Sequence, residues 1–346
     1  MALTLRETFL LPRYHNLVPS RSGRNERNTV RYRIVVSASA RKRRPQNVEG
    51  NFFVDHTCID CDTCRWMAPD VFARIGGMSA VTKQPASKDE NIKTLQALLS
   101  CPTNSIRTEK PMKEVVEVNK MFPLPIDENA LPGVYHCGYH SNKTYGATSY
   151  FISHPEGNIM VDCPEYKEIL ARKFDMLGGI RYLFLTHKDD VGEHDKWAKR
   201  FNCERIMHIG DVDYRTADVE RKLHGDGPWN IGSDFELVHT PGHTEGSVCL
   251  YYKPTKVLFT GDHLYKSGET GELDMALIYN KQSVSLQLNS VKKLLDLDFN
   301  WILPGHGRRV RFKDNHDKNA TIEAFLASKE YLYGNVSTRN KEPSFA

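Results

Sequence analysis

The stretch Phe235-Glu-Leu-Val-His-Thr-Pro-Gly-His243-Thr-Glu-Gly-Ser247 decides how this chain is read. A short apolar run, Phe235 to Val238, meets a Pro-Gly turn and ends on a histidine. Such a run, bounded by turn residues, predicts a buried strand that hands His243 to a loop. The same grammar recurs on either side. Gly157-Asn-Ile-Met-Val161 leads into Asp162, and Tyr182-Leu-Phe-Leu185 leads into Thr186-His187. Lys256-Val-Leu-Phe-Thr260 leads into Gly261-Asp262, and Trp301-Ile-Leu303 leads into Pro304-Gly305-His306. A lone histidine after a strand is most often structural. Five strand ends finishing in Asp or His instead indicate functional groups on loops held by a rigid sheet. Imidazole and carboxylate together suit zinc, iron or manganese.

Helical patterns lie between these strands. Tyr166 to Leu177 stops at Gly178-Gly179. His194 to Phe201, Ser283 to Leu297 and Asn319 to Tyr333 carry amphipathic spacing. Strands alternating with helices predict mixed sheets covered by helices, in a domain from about Gly133 to Gly334.

These motifs, in this order, resemble the metallo-β-lactamase superfamily. The resemblance implies an αββα sandwich with a metal site at one edge. It assigns His187, His243 and Asp262 to one metal region and His306 to a second metal. Asp162 corresponds to a strand-end Asp that orients the site, and it is also carried as a candidate ligand. His208 and His239 read as structural, and His136, His140 and His263 as possible pocket residues.

One departure stands out. The family motif after the second of these strands is His-x-His-x-Asp-His, whereas this chain has His187-Lys-Asp189-Asp190-Val-Gly-Glu193-His194. Asp189 replaces the second histidine, and Val191-Gly192 occupy the Asp-His positions unless an insertion shifts them to Glu193-His194. Asp189 and Asp190 are therefore candidates for ligation or for orienting the nucleophile. Asp190 has an alternative reading as a helix N-cap. His194 is a candidate ligand whose alternative is an exposed first-turn residue.

A second group of residues lies upstream: Cys58-Ile-Asp-Cys61-Asp-Thr-Cys64, then Cys101-Pro102. Three thiolates at three-residue spacing plus a distant Cys-Pro suit an iron–sulfur cubane. Structural zinc more often takes two separated ligand pairs, and a chain this long needs no disulfide staples. In two-cluster ferredoxins the run continues to a fourth cysteine that serves the other cluster; Ala68 stands there, so one [4Fe-4S] cluster is expected. The segment from about residue 50 to 110 resembles a single-cluster bacterial-type ferredoxin, which implies an electron-transfer or a structural cluster. Cys137, Cys163, Cys203 and Cys249 show no ligand spacing and read as buried free thiols. The fold class is therefore α+β: a small ferredoxin-like domain, a proline-punctuated linker over 111–132, the sandwich over 133–334, and a short tail.

Charge is divided unevenly. Residues 1–48 hold 11 Lys+Arg and 2 Glu, a net of +9, and the remainder holds 36 basic against 41 acidic residues, a net of −5. The body therefore gives no reason to expect nucleic acid as a partner. No apolar stretch suggests a membrane span. An acid-poor, arginine-rich leader fits a transit peptide. Val36-Ser37-Ala38 resembles a plastid processing site with Ser39 as a new N-terminus, and a mitochondrial address is the alternative.

Two chemistries suit the site. In the first, zinc or iron activates water to attack a thioester, ester or lactone, as in the glyoxalase II-like branch that acts on glutathione thioesters. In the second, His187, His243 and Asp262 hold a single non-haem iron. A comparable set serves a single iron in persulfide dioxygenases of this superfamily, and flavodiiron proteins show that the fold can also reduce oxygen with iron; the cluster would then feed electrons to the metal, with an outside electron donor or acceptor protein as partner. A third reading is a non-catalytic module.

Overall fold

The computed structural model describes residues 41–333. The processing-site expectation at residues 36–39 and the tail expectation lie outside the described residues.

Two sheets face each other across the larger part of the chain. One has seven strands, in the spatial order Arg221–Leu223, Glu204–His208, Tyr182–Phe184, Ile159–Val161, Tyr150–Ile152, Val134–His136 and Leu124–Pro125. The other has six: Trp229–Ile231, Phe235–His239, Val248–Tyr252, Val257–Gly261, Trp301–Pro304 and Val310–Arg311. Their inner faces interdigitate Ile152, Val161, Phe184 and Ile206 with Leu237, Leu250, Phe259 and Leu303. The helices Glu168–Met176 and His194–Phe201 cover the outside of the first sheet through Leu170, Phe174 and Trp197. Val284–Lys293 and Asn315–Tyr333 cover the second through Leu288, Val291, Ile322 and Phe325. This is an αββα sandwich, and burying the central strands Tyr150–Ile152, Ile159–Val161, Val248–Tyr252 and Val257–Gly261 on both faces explains their continuous apolar runs.

The strands that matter most run in parallel. Val161 lies beside Phe184, and Gly261 beside Pro304. Their carboxyl ends therefore open on one edge, where loops can gather polar groups without burying unpaired backbone.

Residues 41–119 form the smaller unit. Phe52–Val54 pairs antiparallel with Ile106–Thr108, and Phe72–Ile75 pairs with Met78–Val81. The helix Lys88–Ser100 begins at a reciprocal cap: Ser87 Oγ accepts from the Glu90 amide, and the Glu90 carboxylate accepts from the Ala86 amide. Its C-terminal end delivers Cys101. The leader expectation overshoots, because residues 41–48 are part of this fold. Arg44 is buried and donates to the Ile75 carbonyl, while Asn47 Oδ1 accepts from the amides of Val54 and Val81. Composition alone could not separate these arginines from the basic run before them.

The stretch 111–132 is also ordered. The helix Glu114–Asn119 buries Val118 in the small core, and Leu124–Pro125 forms the edge of the seven-stranded sheet. Proline bars a central strand but not an edge one. Among the described residues no helix is long and apolar enough to cross a membrane.

Candidate metal centre

Two ligand sets meet at the sheet edge and share one residue. His187, His243 and Asp262 form the first; Asp190, Asp262 and His306 form the second. Within each set the donor atoms lie within 4.8 Å of one another. His187 Nε2 and His243 Nε2 each stand 3.8 Å from Asp262 Oδ2. His306 Nδ1 is 2.8 Å from Asp262 Oδ1 and 3.8 Å from Asp190 Oδ2.

The chain aims these atoms deliberately. Asp162 sits at positive φ at its strand end and accepts from both the amide and the hydroxyl of Thr186. That hydroxyl is thereby committed as a donor to the carboxylate, so at 3.0 Å it accepts from His187 Nδ1–H. The ring's other nitrogen, Nε2, is left bare and faces Asp262. His306 is set the opposite way. Its Nε2–H donates to the Thr144 carbonyl at 3.1 Å, which leaves Nδ1 toward the carboxylates. Partners of this kind fix tautomer and ring orientation at metal sites. Gly261, at φ +51°, lets the turn approach closely, since a Cβ there would stand 2.6 Å from Thr186 Oγ1.

The residues fit a metal on two observations. His187 Nε2, Asp190 Oδ2 and both nitrogens of His243 are buried with no hydrogen-bond partner among the described residues. Buried polar atoms are rarely left so, and His187 Nε2, His243 Nε2 and Asp190 Oδ2, gathered around Asp262, fit bound cations as their missing partners. The protonation pattern agrees. Burial pushes the Asp190 carboxyl well up, with the Asp262 charge adding to it. For His306 burial works downward, but Asp262 and Asp190 outweigh it and push the imidazole up to about 10. The side chains on their own thus hold protons in the second set, and a divalent cation would take over that compensation.

Other predicted residues fall elsewhere. Asp162 does not join either set, because its carboxylate is spent on Thr186; burial pushes it up to about 7. His194 is not a ligand. It is buried beside Arg205, with its Nε2 bonded to the Arg215 carbonyl. It is not an exposed first-turn residue either. Glu193, which the shifted motif would also have used, binds Lys143, Lys196 and the Tyr166 amide. The insertion reading therefore fails. Asp190 is not the N-cap, since Glu193 holds that position, and it lies among the ligands rather than apart as a free base. Asp189 stands 3.7 Å from His243 Nε2 and pairs with Lys281. Burial raises its carboxyl, but His243 and Lys281 outweigh it and hold it well below the usual range.

Three contributors escaped the sequence reading. Thr186 was quoted only as a turn residue. Lys281 lies in a polar loop with no pattern to mark it. Asp211 is buried and accepts from the Lys188 amide, the Thr244 hydroxyl and the Gly246 amide, tying three loops together. Its place just past the strand ending at His208 was the available signal. His208 and His239 stack at 4.2 Å with carbonyl partners for their Nε2 atoms, a structural role.

Cys58, Cys61, Cys64 and Cys101 line one pocket with Val54, Ile59 and Ile106. Burial pushes the Cys61 thiol up to about 12 and the Cys64 thiol well up too, with neighbouring cysteines adding to each. Four thiols gathered in an apolar pocket fit a cluster whose iron charge offsets their ionisation. This pocket abuts the sandwich. A Cβ on Gly146, at φ +91°, would lie 2.9 Å from Cys61 Cβ. Thr63 Oγ1 lies 3.4 Å from Cys61 Sγ and 3.0 Å from His140 Nδ1. His140 in turn bonds His136, Nε2 to Nε2, at 2.8 Å. Two residues before Gly146 is Thr144, the carbonyl partner of His306.

Comparison with known proteins follows this division. A model described as the 4Fe-4S single cluster domain of Ferredoxin I matches residues 54–108. A model described as the metallo-beta-lactamase superfamily matches residues 143–306. The probable metallo-hydrolase YqgX of Bacillus subtilis (strain 168) is 30% identical over 163 residues, covering 41% of this chain and 76% of that protein. The chain belongs to the metallo-β-lactamase superfamily. A hydroxyacylglutathione hydrolase of Pelagibacter ubique is 28% identical over 125 residues, 35% of this superfamily member and 52% of the hydrolase. The crystal structure of BLEG-1 B3 metallo-beta-lactamase shares 22% identity and a TM-score of 0.41, over 51% of this chain and 93% of that one.

Proposed function

We propose that this protein is a metal-dependent hydrolase of a small-molecule thioester, ester or lactone, with a glutathione conjugate as the leading substrate class. The observation that carries the proposal is the sharing of Asp262 between two ligand sets. A carboxylate placed so can serve two metals at once. His187, His243 and Asp262 would hold one metal, with Asp189 beside them; Asp190, Asp262 and His306 would hold the other. Bound there, the metals supply Lewis acidity that makes a water nucleophilic at neutral pH. The chain's own part is to fix the tautomers of His187 and His306, to keep Asp189 ionised beside His243, and to exclude bulk water from the buried donors. The Bacillus and Pelagibacter relatives are named as hydrolases, which supports hydrolysis here. The test is cleavage of S-lactoylglutathione by anaerobically purified protein with its metals counted. Loss of turnover in His243→Ala supports the proposal, and absence of turnover across thioester, ester and lactone substrates in the metal-loaded protein refutes it.

A second reading, an iron oxidoreductase, is favoured by the contact between the cysteine pocket and the loop that holds His306. The set His187, His243 and Asp262, two imidazoles and one carboxylate, is also the donor combination that suits a single non-haem iron. An outside electron carrier would then be the partner. Oxygen uptake with glutathione persulfide, and iron beyond that of the cluster, would favour this reading over the first.

We also propose a plastid location, on the composition of residues 1–48. A fluorescent fusion of that segment that stayed in the cytosol would refute it.

A further inference from the structure

A cavity of about 250 Å³ lies between the cysteine-bearing unit and the sandwich. Its walls are Trp66, Thr148, Tyr150, Gly307, Arg308 and Arg309. Trp66 comes two residues after Cys64, and Gly307 directly follows His306, so residues next in sequence to a ligand candidate of each centre line the cavity. Among the described residues no acidic one lines it.

The two arginines are in different states. Arg308 is committed: its Nε and Nη2 donate to the Asp62 carboxylate at 3.0 and 3.3 Å, across the junction. Arg309 is not. Its guanidinium carbon stands 4.7 Å from the Trp66 ring centre and 5.8 Å from that of Tyr150. Its Nη2 is buried and has no partner among the described residues. Stacking engages the face of a guanidinium and leaves its N–H edge free. The Tyr150 hydroxyl donates to the Pro304 carbonyl at 2.8 Å.

We propose that this cavity is an anion site for a carboxylate or other oxyanion group carried by the small-molecule substrate, with Arg309 as the recognising residue. The guanidinium N–H groups of Arg309 other than the buried Nη2 have no carboxylate partner among the described residues and can donate to an oxygen of such a group. The cavity is large enough for that group and a few waters, not for a whole conjugate, so the rest of the ligand extends out of it. The substrate assignment rests on the hydrolase reading; the anion site itself does not.

Sulfate, a weak metal ligand, serves as the probe, with the full-length, cluster-containing protein in a calorimeter. The wild type binds sulfate saturably, and Arg309→Gln weakens that binding about tenfold or more. Arg309→Lys, which keeps the charge but loses the fork, falls between the two. Absence of saturable binding in the wild type, or equal binding in Arg309→Gln with unchanged iron and metal content, overturns the site. A second arm compares a carboxylate-bearing thioester with an uncharged one. Arg309→Gln lowers the ratio of their kcat/KM values about tenfold, and an unchanged ratio overturns the substrate assignment. Sulfate binding can be read whether or not any thioester is cleaved, so failure of the hydrolase reading is told apart from failure of the anion site.

Discussion

Replacing Thr186 by valine tests the chain of contacts that aims His187. The side chains are close in shape, so packing is largely kept while one hydroxyl is lost. Two bonds go with it: the donation to Asp162 at 2.9 Å and the acceptance from His187 Nδ1 at 3.0 Å. Asp162 keeps the Thr186 amide at 2.9 Å, so its carboxylate is not stranded. His187 Nδ1 is left buried without a partner, and its ring is free to present either nitrogen. Loss of such an orienting partner costs about 10- to 100-fold in metal affinity, ~1.4–2.7 kcal/mol. The unfolding free energy should fall by about 1–3 kcal/mol, the cost of an unsatisfied buried donor. The assay is competition against a chromophoric chelator, with far-UV circular dichroism as the folding control and Thr186→Ser as the rescue. Metal affinity within twofold of wild type in a folded Thr186→Val protein would refute the orienting role.

Other outcomes follow from the contacts around these centres. His194→Ala should leave metal stoichiometry unchanged while lowering the melting temperature, because His194 bonds Arg215 and Arg205 and not the metal sets; a lost metal would contradict that. Gly146→Ala should reduce iron retention in the cysteine pocket, since its Cβ would press on Cys61 at 2.9 Å and the residue sits at φ +91°; full cluster iron per chain would count against the contact. Once Cys61 Sγ is an iron-bound thiolate it can only accept, so the Thr63 hydroxyl becomes its donor at 3.4 Å. Thr63→Val should then lower the cluster's midpoint potential in a redox titration, because hydrogen bonds to sulfur stabilise the more negative, reduced state. Glu220 is held down to about 2 by its hydrogen bonds from Arg205, against an ordinary 4.5. A depressed carboxyl adds stability that is complete above about pH 4.5 and is lost as pH falls toward 2. With that side chain 45% exposed, screening cuts the contribution to about 1 kcal/mol. In urea melts the gap between wild type and Glu220→Gln should close over that range; a gap constant with pH would refute it.

Much of the centre was legible in the chain because each ligand follows a strand. Apolar runs bounded by turn residues locate strand ends, and His187, His243, Asp262 and His306 stand just past them. The cysteines were legible by spacing. The altered motif was not. Asp189, Asp190, Glu193 and His194 are all plausible donors within six residues, and only the path of the loop separates them. Val191 packs into the apolar layer and turns the chain, so Asp190 faces the metal sets while His194 faces Arg205. The basic run at residues 41–44 misled for a related reason, since its charge gave no hint that Arg44 is buried and donates into the hairpin at Ile75.

The order of strands, the residues at their ends and the two cofactor-binding units were set locally, by alternation, turn chemistry and ligand spacing over a few residues. What tertiary structure decided is which carboxylate completes each ligand set, that Gly146 lies against Cys61, and that Arg309 faces a cavity beneath Trp66. Those contacts join residues 85 and 243 positions apart (146 − 61 and 309 − 66). No local pattern encodes such pairs, because they exist only once two separately folded cores have packed together.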